Sequence, residues 1–167
     1  AAGTFEGYDA ITDRGTTTGD SDRLVAAAGT AAVDIGLRSF ATSNGIEIID
    51  ATATTGAVRL LGDATANVLN FTGISLLGSN LSIHGGDGND TITGSAGADR
   101  ILSGKGDDTL NGAAGSDTYE VAGSVAAGTF EGYDAITDRG TTTGDSDRLV
   151  AAAGTAAVDI GLRSFAT

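Results

Sequence analysis

Four aspartates, Asp90, Asp99, Asp108 and Asp117, recur at every ninth position in a stretch that runs without a gap from Gly85 to Glu120 as GGDGNDTIT, GSAGADRIL, SGKGDDTLN and GAAGSDTYE. Each unit has a Gly or another small residue first, Gly fourth, Asp sixth and a bulky apolar residue eighth, namely Ile92, Ile101, Leu110 and Tyr119. Carboxylates and loop carbonyls are hard oxygen donors. The chain has no cysteine and a single histidine, so the cation that suits this donor set is calcium, which takes roughly six to eight oxygens. Glycine at the first and fourth places lets the turn take left-handed backbone angles and aim carbonyls inward, while the sixth place supplies the carboxylate.

A short strand followed by a tight turn, repeated once per nonapeptide, is the unit that can hold these groups in place. Two units then make one turn of a coil, so that each loop stacks on the next loop but one: Gly85–Asp90 beside Ser103–Asp108, and Gly94–Asp99 beside Gly112–Asp117. Each stacked pair is expected to hold one ion between its two aspartates. Backbone carbonyls of Gly85, Asp87, Gly94, Ala96, Ser103, Lys105, Gly112 and Ala114 are expected to complete the shell. Without metal the carboxylates repel one another at rung spacing and the glycine-rich loops bury little, so folding is expected to depend on calcium.

Counting back in nines from Tyr119 reaches Ile83 and then Ile74, which predicts that the coil begins upstream of the aspartates; in residues 76–84 (LLGSNLSIH) Leu81 takes the carboxylate's place. Further upstream, IEIID, AVRLL, NVLNF, ISLL and LSI are short β-branched and aliphatic runs closed by Gly, Asn, Thr or Asp, the pattern of strands and turns. No stretch carries a helical apolar stripe. The expected fold is all-β, a right-handed parallel β-roll or β-solenoid continuous through the chain, with short strands and Gly/Asp-rich turns.

A longer repeat overlies the short one. Ala1–Thr42 reappears unchanged as Ala126–Thr167, an offset of 126 − 1 = 125 positions. Residues 1–125 therefore read as one full tandem repeat, with the nonapeptide block at 85–120, and residues 126–167 as the start of the next. Roughly seven coils are expected per repeat. A second acidic cluster accompanies this segment: Asp145 and Asp147, with their copies Asp20 and Asp22, could form a further calcium site with Asp138 or Asp13.

Composition narrows the functional classes. A net charge of -13, from 22 acidic and nine basic residues, disfavours nucleic acid and anionic membranes as partners. No apolar run is long enough to span a bilayer, and the first residues show no leader pattern. One histidine and no cysteine leave no nucleophile, base and orienting group for catalysis. Glu47 and Asp50, three apart in a strand, point to opposite faces and make no glycosidase pair. His84 is expected to be a turn residue, and Tyr8 and Tyr133 to pack at a core or edge.

The block from Gly85 to Glu120 resembles the RTX family of secreted bacterial proteins. The flanks, DTYEVAGS, then ITD, a Gly-rich turn, DSDRLV, DIGL and GIEIID, resemble the linking segments between nonapeptide blocks in large members. This resemblance implies calcium as cofactor, type I export in an unfolded state and an extracellular or cell-surface location. Ser103, Ala113 and Ala114 depart from the glycine pattern, and Arg100 and Lys105 place cations near the sites, which implies few ions, about two per repeat. The expected function is a calcium-stabilised structural repeat of a long extracellular filament, surface layer, matrix or adhesin stalk, stacked end to end on copies of itself. The alternative is a calcium-dependent carbohydrate-binding accessory module of a secreted polysaccharide-modifying enzyme or adhesin.

Overall fold

A computed structural model of the chain describes residues 21–121, 132–138 and 145–151, and the backbone of Leu162–Phe165. Within them the chain is built of short strands joined by glycine-, threonine- and aspartate-rich turns, with one 3-10 turn at Thr42–Asn44. Every strand pair is parallel, and the strands form three sheets. The first sheet runs, in spatial order, Val33–Gly36, Val58–Leu61, Leu81–Asp87, Arg100–Lys105, Thr118–Val121 and Arg148–Ala151. The second runs Ser39–Phe40, Val68–Asn70, Thr91–Thr93, Thr109–Asn111, Asp134–Ile136 and Leu162–Phe165. A third, shorter sheet contains Arg23–Val25, Ile48–Asp50 and Ser75–Leu77.

Side chains alternate across each strand, and the inward set forms one apolar column. Leu60, Ile83, Ile101 and Tyr119 face Leu69, Ile92, Leu110 and Ile136, with Ile49 contributed by the third sheet, and all of these are buried. Phe40 and Phe71 pack at one end with ring centroids 5.3 Å apart. Each aliphatic side chain withdrawn from water contributes about 1.5–3 kcal/mol. The column is one residue wide per sheet per rung, so a rung cannot stand alone and depends on its neighbours.

Register shows how the coil advances. In the second sheet Ser39 pairs with Val68, Val68 with Thr91, Thr91 with Thr109, Thr109 with Ala135, and Ala135 with Ser164. The steps are unequal along the chain. They are shortest from Thr91 to Thr109, inside the nonapeptide block, and longest at the two ends, from Ser39 to Val68 and from Ala135 to Ser164. Ser164 is the copy of Ser39, since 164 − 39 = 125. Five rungs thus bring the chain back to the same sheet at the same residue, where about seven coils were expected. The difference arises on both sides of the nonapeptides: upstream, each turn carries an extra strand in the third sheet and so consumes more of the chain, and downstream the steps from Thr109 to Ala135 and from Ala135 to Ser164 are likewise longer than the step within the block.

The short turn of two nonapeptides is confined to the block itself, as in the ladder Ile83, Ile101, Tyr119. The nine-residue phase does not extend through Ile74 as expected. Ile74 lies in the corner before Ser75–Leu77, donating its N–H to Phe71 O at 2.9 Å and burying its side chain in the core. Leu81 starts a strand and pairs with Val58, so it does not occupy a loop in the carboxylate's place.

Candidate metal centre

The sixth-place aspartates fall immediately before strands, where the backbone N–H of one rung points along the stacking direction to the next. Two ladders result. In the first, Asn67 N–H donates to Asp90 Oδ1 at 2.8 Å, Asp90 N–H to Asp108 Oδ1 at 2.7 Å, and Asp108 N–H to Asp134 Oδ1 at 3.1 Å. In the second, Asp99 N–H donates to Asp117 Oδ1 at 2.8 Å and Asp117 N–H to Asp147 Oδ1 at 2.9 Å. One carboxylate oxygen of each acceptor is thereby committed to the rung before it.

The other oxygen decides the chemistry. Oδ2 of Asp90, Asp108 and Asp117 is buried and has no hydrogen-bond partner. Buried carboxylate oxygens left unpaired are strongly disfavoured, and no ion pair among the described residues reaches these three. Burial pushes the Asp108 carboxyl up to about 7, with Asp134 and Asp90 adding to the rise. Burial also pushes Asp117 up to about 7, helped by Asp99, Asp138 and Asp147. Asp90, Asp99 and Asp134 are raised as well, burial again being the main cause.

Carbonyls converge on the same places. A Cβ added at Gly85 would stand 2.2 Å from Ser103 O and 2.4 Å from Asp90 Oδ2. At Gly94 it would stand 2.5 Å from Gly112 O and 2.6 Å from Asp99 Oδ2, and at Gly112 1.9 Å from Asp117 Oδ2. At each first-place glycine, then, a loop carboxylate closes over the space a side chain would fill, and at Gly85 and Gly94 the next rung's carbonyl joins it. Such a cradle of hard oxygens fits calcium: Asp90 and Asp108, with Ser103 O, would hold an ion in the first column, and Asp117 in the second.

The four sixth-place aspartates are not equivalent, although their spacing suggested that they were. Asp99 is satisfied within its own loop, by Ser95 N–H at 2.6 Å and by the Ser95 hydroxyl at 3.0 Å. Among the third-place residues, Lys105 O accepts Gly88 N–H at 2.8 Å, which commits one lone pair to the backbone ladder. Asp87 ends the strand Leu81–Asp87 opposite Lys105, while Ala96 and Ala114 lie at the bends of the second-column loops. Arg100 and Lys105 stand outside the carboxylate columns, paired with Glu120 and Asp87 respectively. Ser103 is fully buried, and its hydroxyl binds Asp134.

Several site residues escaped the sequence pattern. Asp134 extends the first column beyond the block, and its signal is Gly132, Asp134 and Ile136 at the fourth, sixth and eighth places, displaced by an interruption after Val121. A Cβ on Gly132 would lie 1.7 Å from Gly106 O, so the two fourth-place glycines stack. Upstream, Gly62, Asn67 and Leu69 repeat the first, sixth and eighth places with Asn for Asp. Asn67 closes its own loop, accepting Asp63 N–H at 2.8 Å and donating to Arg38 O at 3.1 Å.

Asp138 and Asp147 are brought together with Asp117: one carboxylate oxygen from each lies within 4.8 Å of the others. Asp22 N–H donates to Glu47 Oε2 at 2.8 Å, and Asp13, Asp20 and Tyr8 lie outside the described residues. His84 is a strand residue rather than a turn residue, with Nε2 2.9 Å from Ser82 Oγ, and its burial lowers its pKa to about 4. Tyr133 is 47 % exposed and does not pack in the core. Asp50 caps Thr52 at 2.8 Å, well apart in role from Glu47.

Residues 84–119 match the RTX calcium-binding nonapeptide repeat in four copies. RTX nonapeptide repeats bind Ca2+, and the block is a calcium-binding structural repeat. No curated protein and no solved structure matches the chain. No helix among the described residues is long and apolar enough to cross a membrane.

Proposed function

We propose that this chain is a window on a long, calcium-stabilised extracellular rod, in which 125-residue units follow one another as a single right-handed β-solenoid. The observation that carries this reading is register: the ladder from Ser39 reaches Ser164, its own copy, after five rungs in the same sheet. A chain whose coil returns to its starting register after one sequence repeat can continue indefinitely without a joint. Handedness follows from the general rule for parallel crossovers. Neighbouring copies are the partners, stacked end to end, and the calcium block acts once per unit as a clamp. Export in an unfolded state with folding in millimolar calcium suits loops that gain their order from the ion.

At about 4.8 Å per rung, five rungs advance the rod by about 24 Å. Electron microscopy or small-angle scattering of a multi-unit array in calcium is expected to show unbranched rods lengthening by that increment per unit. Beads joined by flexible links would overturn the reading.

A further inference from the structure

We infer a calcium site at the downstream edge of the nonapeptide block, built from Asp117, Asp138 and Asp147, that ties each block to the copy of the 125-residue unit following it. It takes calcium from the preceding reading only as the choice of ion. Its geometry stands separately, because two of its three carboxylates lie beyond the residues that match the RTX repeat.

Three observations converge on the site. The three carboxylates approach within 4.8 Å. Asp117 is 1 % exposed, and its Oδ2 is buried with no hydrogen-bond partner while Oδ1 is held by Asp99 N–H at 2.8 Å. Asp145, next to the cluster in sequence, has both carboxylate oxygens buried and without hydrogen-bond partners. So many anionic oxygens, with no lysine or arginine paired to Asp117, Asp145 or Asp147 among the described residues, call for a divalent cation. All the donors are oxygens, which selects calcium over zinc or copper.

Tyr119 explains why this position is special. It is the eighth-place residue of its unit, where the other three units carry Ile or Leu. Its hydroxyl emerges from the core to donate to Asp138 Oδ2 at 2.7 Å and to accept Gly112 N–H at 2.6 Å. The phenol therefore orients Asp138 toward the space beside Gly112 that Asp117 Oδ2 already borders. Asp147, in turn, is fixed by accepting Asp117 N–H at 2.9 Å.

The consequence concerns the array. Asp138 and Asp147 belong to the copied segment, whereas Asp117 belongs to the nonapeptide block of the copy before it. Each such site joins a block to the copied segment that follows it, so the ion bridges consecutive units.

Calcium binding to the full chain, measured by equilibrium dialysis and calorimetry, tests the assignment. Asp138→Asn and Asp147→Asn are each expected to lose one bound ion per chain, or to bind it at least tenfold more weakly, with the remaining ions unchanged. Asp147→Asn keeps an oxygen for Asp117 N–H and so guards against a folding failure, which circular dichroism in calcium would reveal. Tyr119→Phe is expected to retain the ion with reduced affinity. Unchanged stoichiometry and affinity in both aspartate variants would overturn the junction site while leaving the nonapeptide sites intact. Absence of calcium binding by the wild-type chain would overturn both.

Discussion

Asp108→Asn separates the two roles of a sixth-place carboxylate more clearly than any other change. Asp108 lies between Asp90 and Asp134 in the first column, accepting Asp90 N–H and donating its own N–H to Asp134, and it borders the first-column cradle with Asp90. Asparagine keeps an Oδ1 to accept Asp90 N–H and removes the charge. Extracellular calcium modules bind with dissociation constants near 0.1–1 mM, so 10 mM calcium stabilises a folded site by roughly 1.4–2.7 kcal/mol. Loss of that site amounts to some 3–11 °C in melting temperature for a chain of this size. In EDTA at pH 8 the ranking should invert, because the wild type then holds a buried carboxylate oxygen without a partner and the variant does not. Thermal melts followed by circular dichroism, with and without calcium, measure both. If the two proteins gain equally from calcium, or keep the same order in both buffers, Asp108 is not a ligand.

The same carboxyl predicts a pH dependence. Its pKa rises from 3.8 to about 7 on folding, so this group's contribution to the metal-free fold is full below about pH 4 and is lost as pH climbs through 7. Calcium competes with the proton, so its affinity is expected to increase over the same interval, measurable by titration at pH 5, 6, 7 and 8. Gly85→Ala would drive a methyl to within 2.2 Å of Ser103 O and 2.4 Å of Asp90 Oδ2; weaker calcium binding and about 1–3 kcal/mol of lost stability are expected in denaturant titrations. Ala113 has φ 78°, whereas Gly86 and Gly104 hold positive φ at the same place in their units, so Ala113→Gly is expected to raise stability by about 1 kcal/mol. Ile101→Ala, at the centre of the fully buried column, is expected to remove about 2–5 kcal/mol both with calcium and in EDTA.

The nonapeptide block was legible because its chemistry and its geometry share one period. Glycine at a turn, aspartate before a strand and an aliphatic inside the coil each recur at nine, so Asp90, Asp108 and Asp117, the stacking of every second loop and the calcium they suit follow from local pattern alone. The 125-residue copy was equally plain as a string. What it meant for the fold was not, because rung length upstream of the block depends on whether a turn carries a third strand, and that depends on which sheet Arg23–Val25, Ile48–Asp50 and Ser75–Leu77 find to pair with. Pairing there joins Arg23 to Ile48 and Ile48 to Ser75, beyond the reach of any short-range signal.

Tertiary structure also decided which carboxylates are equivalent. Asp99 and Asp117 occupy the same place in their units, yet Ser95 satisfies the first while the second keeps a buried, unpaired oxygen. Asp134 and Asp138 join the columns across an interruption that breaks the nine-residue count, because stacking depends on position along the coil axis and not on distance along the chain. By itself the sequence determined the strand period, the donor chemistry and the existence of a repeat, all of which are set by neighbours in the chain. Only the folded coil determined how many rungs fill that repeat and which oxygens meet. Hydrogen bonds between rungs set both, and they join partners as distant in the chain as Thr91 and Thr109 or Thr118 and Arg148.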